Sequence, residues 1–176
     1  MEFVSAGPRM PAIGITCYPS QGGSGVVATE LGLNLARSGC EVHFISSSLP
    51  FRLRGYDQNI SYHQVEMPHY PVFQHTPYTL SLATAMSEVA ERCGLDILHV
   101  HYAIPHAASA YLAKQMSGRD SLKVVTTLHG TDITLVGNHP FYRTAVNFSI
   151  NKSDVVTAVS ESLKQDTLEL FDIEKE

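Results

Sequence analysis

Short, nearly continuous apolar runs alternate along this chain with longer stretches in which apolar residues recur every third or fourth position. The first kind suits strands buried on both faces, and the second suits helices with one apolar stripe. The pattern predicts strands at Ile13–Cys17, Glu41–Ser46, Ile60–Glu66, Ile97–His101, Val124–Leu128 and Val155–Val159. It predicts helices at Val26–Ser38, Tyr78–Cys93, Pro105–Met116, Phe141–Asn151 and Glu161–Phe171. Pro105 suits a first helical turn, and Ser160 with Glu161 and Ser162 reads as a helix start. Gly39 and Gly94 stand where helix C-caps belong. Repeated β-α-β units of this kind predict an α/β fold: a Rossmann-like, doubly wound, parallel six-stranded sheet with its ligand crevice at the strand C-termini. No internal repeat or low-complexity tract interrupts it. Residues 1–10 read as a leader and residues 11–176 as one domain.

Polar and aromatic residues gather at those C-termini while the strand bodies stay apolar. The first strand runs into Gly22-Gly23-Ser24-Gly25 and then directly into a helix. That order sets bare backbone N–H groups and a helix's positive end at one point, a site for phosphate or carboxylate. Gly23 to Ala28 also satisfies the dinucleotide pattern G-x-G-x-x-G/A. A dinucleotide calls for an acidic residue at the end of the second strand, and Ser46-Ser47-Ser48 stands there instead. No G-K-[ST] follows the glycines, which removes the P-loop reading. Glycines serving only a tight turn are the plainer alternative, against which Ser24 adds a hydroxyl.

Composition narrows the partners. The chain has 176 residues, a formal net charge of −5 and 44% hydrophobic residues. An acidic chain with no basic stripe is a poor match for nucleic acid, and no apolar run is long enough to span a bilayer. Cys17, Cys40 and Cys93 are odd in number and widely spaced, which suits buried thiols in a reducing, cytoplasmic setting.

His99 and His101 alternate along one strand, so both face one side of the sheet. With His106, His129 or Asp132 they could form a metal set, but no spaced ligand motif supports this. The favoured reading is one buried, hydrogen-bonded ring and one at the crevice edge. His129 and Asp132 leave a buried strand through Gly130, and no G-x-S-x-G elbow offers them a nucleophile. A hydrogen-bonding role for His129 is preferred; Asp132 stabilising the next turn is the plain alternative. Tyr102 and Arg52 are weaker crevice candidates. The aromatic tract from Pro68 to Pro77 reads as an ordered surface loop.

Four segments together carry a resemblance: Gly14-Ile15-Thr16-Cys17-Tyr18-Pro19 with Gly22 to Gly25, His43 to Leu53, His101 to Ala107, and Thr126 to Thr134. On these, from Ile13 onward, the chain resembles the N-terminal domain of a retaining GT-B glycosyltransferase of family 4. Within the family it is most similar to members of bacillithiol biosynthesis that transfer N-acetylglucosamine from UDP-N-acetylglucosamine (UDP-GlcNAc) to L-malate. The resemblance implies retention at the anomeric carbon, no required metal and no cofactor beyond the UDP-sugar donor. It implies that Gly23, Ser24 and Gly25 approach the donor diphosphate and the acceptor. It further implies that Ser24, Tyr102 and Thr127 hold malate, and that His129 contacts the donor sugar as the catalytic histidine. Such members carry an arginine in the helix before the sixth strand. Here Asn147 stands at that place, with Arg143 one turn earlier, so either Arg143 substitutes or the acceptor is another sugar or a lipid. The resemblance also implies a C-terminal nucleotide-sugar domain absent from this chain, an isolated piece that does not turn over, and leaves a homo-oligomer open. A non-enzymatic small-anion or dinucleotide-binding module is the alternative from a different class.

Overall fold

A computed structural model describes residues 9–53 and 58–173 of the chain. Most of the expected leader, residues 1–8, lies outside the described residues, as do residues 174–176. The strands are β1 (Ala12–Thr16), β2 (Glu41–Ser46), β3 (Ile60–Gln64), β4 (Ile97–His101), β5 (Lys123–Leu128) and β6 (Val155–Ala158). The helices are α1 (Ser24–Arg37), α2 (Tyr78–Cys93), α3 (Ala108–Ser117), α4 (Pro140–Asn151) and α5 (Glu161–Leu170). The six strands form one sheet in the order β3-β2-β1-β4-β5-β6, and every neighbouring pair is parallel. The expected α/β fold is the one observed.

Alternation along each strand sends side chains to two separate cores. Ile45, Leu98, Val100 and Val124 meet Leu82, Met86 and Val89 of α2 and Ala110 and Ala113 of α3. Ile13, Ile15, Val42 and Phe44 face the other way, onto Ala28 and Ala36 of α1. A third cluster joins Leu128 and Ile133 to Val146, Ile150, Leu163 and Phe171 around α4 and α5. Ile15 and Phe44 are fully buried. Each such side chain contributes about 1.5–3 kcal/mol of transfer free energy.

Helix ends agree with their local chemistry. The Ser160 hydroxyl accepts the Leu163 N–H at 3.1 Å, capping α5. Gly94 closes α2 in the left-handed region at φ 63°. Pro105 stands in a first helical turn, as expected: Ile104 before it is extended (φ −129°, ψ 142°), and it is the non-helical residue within the π-like turn Ala103–Ala107, whose end at Ala107 is helical and runs straight into α3. The ring of a proline keeps the preceding residue out of the helical region, which sets the kink at Ile104. A second π-like turn, Asp132–Val136, was not expected from the pattern, being too short to show a period.

Candidate functional site

The strand order reverses between β1 and β4, and in a doubly wound sheet that point opens the ligand crevice at the strand C-termini. The glycine turn follows β1 there, and Tyr102 follows β4. Gly23 is the N-cap of α1 at φ 50°, ψ −116°, a conformation that side chains resist. A Cβ on Gly25 would stand 2.6 Å from the Ser20 carbonyl oxygen and 2.7 Å from that of Tyr18. These two glycines are therefore required by the turn itself. The helix they open has no side-chain cap and no acidic residue in its first turn, so its positive end is uncompensated by the chain. Ser24 is buried at that end.

Tyr102 sits opposite with φ 91°, the one non-glycine residue at positive φ among the described residues. Its backbone is gripped from both sides. The Tyr102 N–H donates to the Thr127 carbonyl at 3.0 Å, and the Ala107 N–H donates to the Tyr102 carbonyl at 3.2 Å. The ring stacks on His129 with centroids 5.2 Å apart and meets Tyr18 edge-on at 5.3 Å. The Thr131 hydroxyl donates to the Tyr102 phenol oxygen at 3.2 Å. An unfavourable φ held this firmly marks a side chain that the surrounding structure aims.

Behind Tyr102 lies a ladder of polar side chains across three strands. The His99 and His101 rings stack at 5.1 Å on one sheet face, as their spacing predicts. His101 Nδ1 and His129 Nε2 share a hydrogen bond of 2.8 Å. His99 Nε2 meets the Thr127 hydroxyl at 2.8 Å, and that hydroxyl meets Thr157 at 2.8 Å. Both histidines of β4 thus belong to the network, rather than one being set apart at the crevice edge. His106 Nδ1 donates to the His101 carbonyl. His101 Nε2 and His106 Nε2 have no protein partner among the described residues, so neither ring has an acceptor for a second proton. Burial accordingly pulls the pKa down to about 4 for His99, about 2 for His101 and about 4 for His106. Burial also lowers His129, against the pull of Asp132, so a neutral imidazole faces the crevice.

One carboxylate joins the two crevice loops. Asp132 is 1% exposed. Its Oδ1 accepts the N–H groups of His129 at 3.1 Å and Gly130 at 2.9 Å, and its Oδ2 accepts the Ala103 N–H at 3.1 Å. It does more than stabilise its own turn: it locks the loop after β4 to the loop after β5. Sequence reading missed this, because a bond to Ala103 leaves no local signal. It also missed Tyr18, which packs on both Tyr102 and His106.

The α4 candidates differ. Arg143 donates to the Leu170 carbonyl, and its guanidinium lies 5.3 Å over the Phe171 ring. It is therefore engaged at the end of α5. Asn147 is half-buried with Oδ1 lacking a protein partner among the described residues, on a helix that packs against both π-like turns. Arg52 pairs with Glu30 at 2.8 Å on the exposed surface of α1.

Residues 21–176 match the sequence profile of Glycosyltransferase Family 4. Over 158 residues the chain is 62% identical to the N-acetyl-alpha-D-glucosaminyl L-malate synthase of Bacillus anthracis, covering 90% of this chain and 41% of that protein. An uncharacterized glycosyltransferase of Methanocaldococcus jannaschii is 28% identical over 107 residues, 61% of this chain and 29% of its own length. Among solved structures, a glycosyltransferase from Rickettsia africae superposes with a TM-score of 0.65 at 20% identity, covering 95% of this chain and 41% of that one. MurG of Acinetobacter baumannii superposes with a TM-score of 0.54 at 17% identity, covering 84% of this chain and 41% of that one. The structural likenesses establish a fold shared with GT-B glycosyltransferases. The chain thus spans 41% or less of each of these relatives.

Proposed function

The chain belongs to glycosyltransferase family 4, and on that premise we propose that it is the N-terminal, acceptor-side domain of a cytoplasmic enzyme that transfers N-acetylglucosamine from UDP-GlcNAc to L-malate with retention. The observation that carries this reading is the 62% identity to the malate synthase across 90% of the chain. The crevice between β1 and β4 supports it chemically. A dianionic acceptor and a donor diphosphate both suit an uncapped helix N-terminus.

In this reading the N–H groups around Gly23, Ser24 and Gly25, with the Ser24 hydroxyl, receive a malate carboxylate and face the diphosphate. The Tyr102 phenol and the Thr127 hydroxyl hold the remaining polar groups of malate. The neutral His129 imidazole contacts the donor sugar, held in place by His101 from behind and by Asp132 through its backbone N–H. Charge on the diphosphate is met by the helix end, which has no side-chain cap and no acidic residue in its first turn. The chain spans 41% of the length of the malate synthase, so activity is assayed on the complete polypeptide.

A second reading keeps the family and changes the acceptor. It is favoured by Arg143, whose guanidinium is committed to Leu170 and Phe171 rather than to the crevice. UDP release by the complete polypeptide, measured with L-malate and with a panel of other hydroxy acids, sugars and lipid acceptors, separates the two. Malate-dependent release supports the first reading. Release with another acceptor and none with malate overturns it.

A further inference from the structure

On the far side of the sheet from the histidine ladder, three ligand-bearing residues from three elements converge. His43 and His63 point from β2 and β3 to the face covered by α2, and Cys93 is the last residue of α2. His43 Nδ1 and His63 Nε2 are 2.9 Å apart, and one ring nitrogen of each histidine and the Cys93 Sγ all lie within 4.8 Å of one another. No other group of His, Cys, Asp and Glu among the described residues meets that test. We propose that His43 Nδ1, His63 Nε2 and Cys93 Sγ form a zinc site that clamps the edge strand β3 to the end of α2. The inference is independent of the glycosyl-transfer reading.

Hydrogen bonding around His43 supports it. The Glu41 carboxylate lies 3.1 Å from His43 Nε2 and can only accept, so the proton of His43 sits on Nε2 and its Nδ1 lone pair faces the cluster. A carboxylate on the outer nitrogen is the usual partner of a metal-binding histidine. In the metal-free chain Arg92 donates to His63 Nδ1 at 3.3 Å, so His63 Nε2 carries its proton and donates it to His43. Ligation moves that proton to Nδ1 and displaces Arg92, an exposed side chain at the end of α2.

Ligation widens the nitrogen pair and draws the Cys93 Sγ, which lies within 4.8 Å of both nitrogens, to about 3.6 Å from each. Zn–N distances of about 2.0–2.1 Å in a tetrahedron put two nitrogens about 3.3 Å apart, so the rings separate by a few tenths of an ångström. Two imidazoles and a thiolate suit zinc, with the fourth position open to water. His63 and Cys93 are half-buried, and His63 borders a groove of about 630 Å³ whose charged lining is Glu66, Glu88 and Arg92, so displacing Arg92 leaves two carboxylates that favour a cation. The proton balance is simple: Zn²⁺ displaces one proton from the Cys93 thiol to solvent, and no redox change occurs.

The test uses the reduced, tag-free chain titrated with Co²⁺ and then Zn²⁺. One equivalent of Co²⁺ is expected to give tetrahedral d–d bands and a thiolate-to-cobalt charge-transfer band with release of one proton, and Zn²⁺ then abolishes the bands with no further proton release. Cys93→Ser, with circular dichroism unchanged, is expected to lose the charge-transfer band and the proton release and to bind Zn²⁺ at least tenfold more weakly. Glu41→Gln is expected to bind it about tenfold more weakly. Absence of the charge-transfer band in the unaltered chain, or equal Zn²⁺ affinity in Cys93→Ser, overturns the site.

Discussion

The Asp132 carboxylate accepts backbone N–H groups from two loops that lie 29 residues apart. Removing it strands three donors, that of Ala103 buried and those of His129 and Gly130 partly so, and a buried group deprived of a charged partner costs more than the bond was worth. Asp132→Ala is expected to lose about 3 kcal/mol or more of unfolding free energy in urea titration. Asp132→Asn is the finer probe, since its amide must turn an NH₂ toward one of the two loops. It is expected to lower kcat in the complete enzyme while folding normally. His129 tests the proposed donor contact separately. His129→Ala in the complete enzyme is expected to cut kcat by about 10²-fold, the scale of losing one preorganised polar contact to the reacting group. The KM for malate should change little, and a reversed pattern places His129 on the acceptor instead. Of these residues, the sequence revealed His129 by its exit from a buried strand through Gly130. It hid the reach of Asp132, because a hydrogen bond to Ala103 depends on how two strands are registered and not on any local spacing.

At the scale of the element, β4 and the turn after it carry three neutral histidines, and this makes the fold sensitive to acid. His99, His101 and His106 all have folded pKa values below the unfolded value near 6.5. Below that value the unfolded chain binds more protons than the folded one, so stability falls with pH, from about 6.5 down to about 4 for His99 and His106. By pH 5 each ring costs about 1–2 kcal/mol. Urea titrations at pH 7.5 and pH 5 should therefore differ by several kcal/mol. Equal stabilities would show that the rings find proton acceptors on unfolding and folding alike. Most strand and helix positions were legible to within a residue or two because burial imposes its period directly on the sequence; β6, whose Val155 and Val156 are exposed, was legible from the strand preference of its valines instead. Pro105 was legible as a helix opener, whereas the π-like turn over Ala103–Ala107 was not, because a single widened turn shows no period.

For the whole molecule, the alternation of strand and helix patterns foretold a parallel sheet, and the order β3-β2-β1-β4-β5-β6 sets the glycine turn and Tyr102 on either side of the reversal point. Candidate residues from β1, β4 and β5 were legible as a group because polar residues at strand ends have no core to fill. What stayed hidden was how Arg143 is used. Its spacing from Asn147 suggests a substitute for the missing arginine, whereas packing of α5 draws its guanidinium onto Leu170 and Phe171. The central claim is therefore an acceptor claim, and the product answers it most directly. The complete polypeptide should be incubated with UDP-GlcNAc and L-malate, and the product's anomeric configuration read by NMR. The expected product is N-acetylglucosamine joined through an α linkage to the malate hydroxyl. A β linkage, or no malate-linked sugar while another acceptor is consumed, would contradict it.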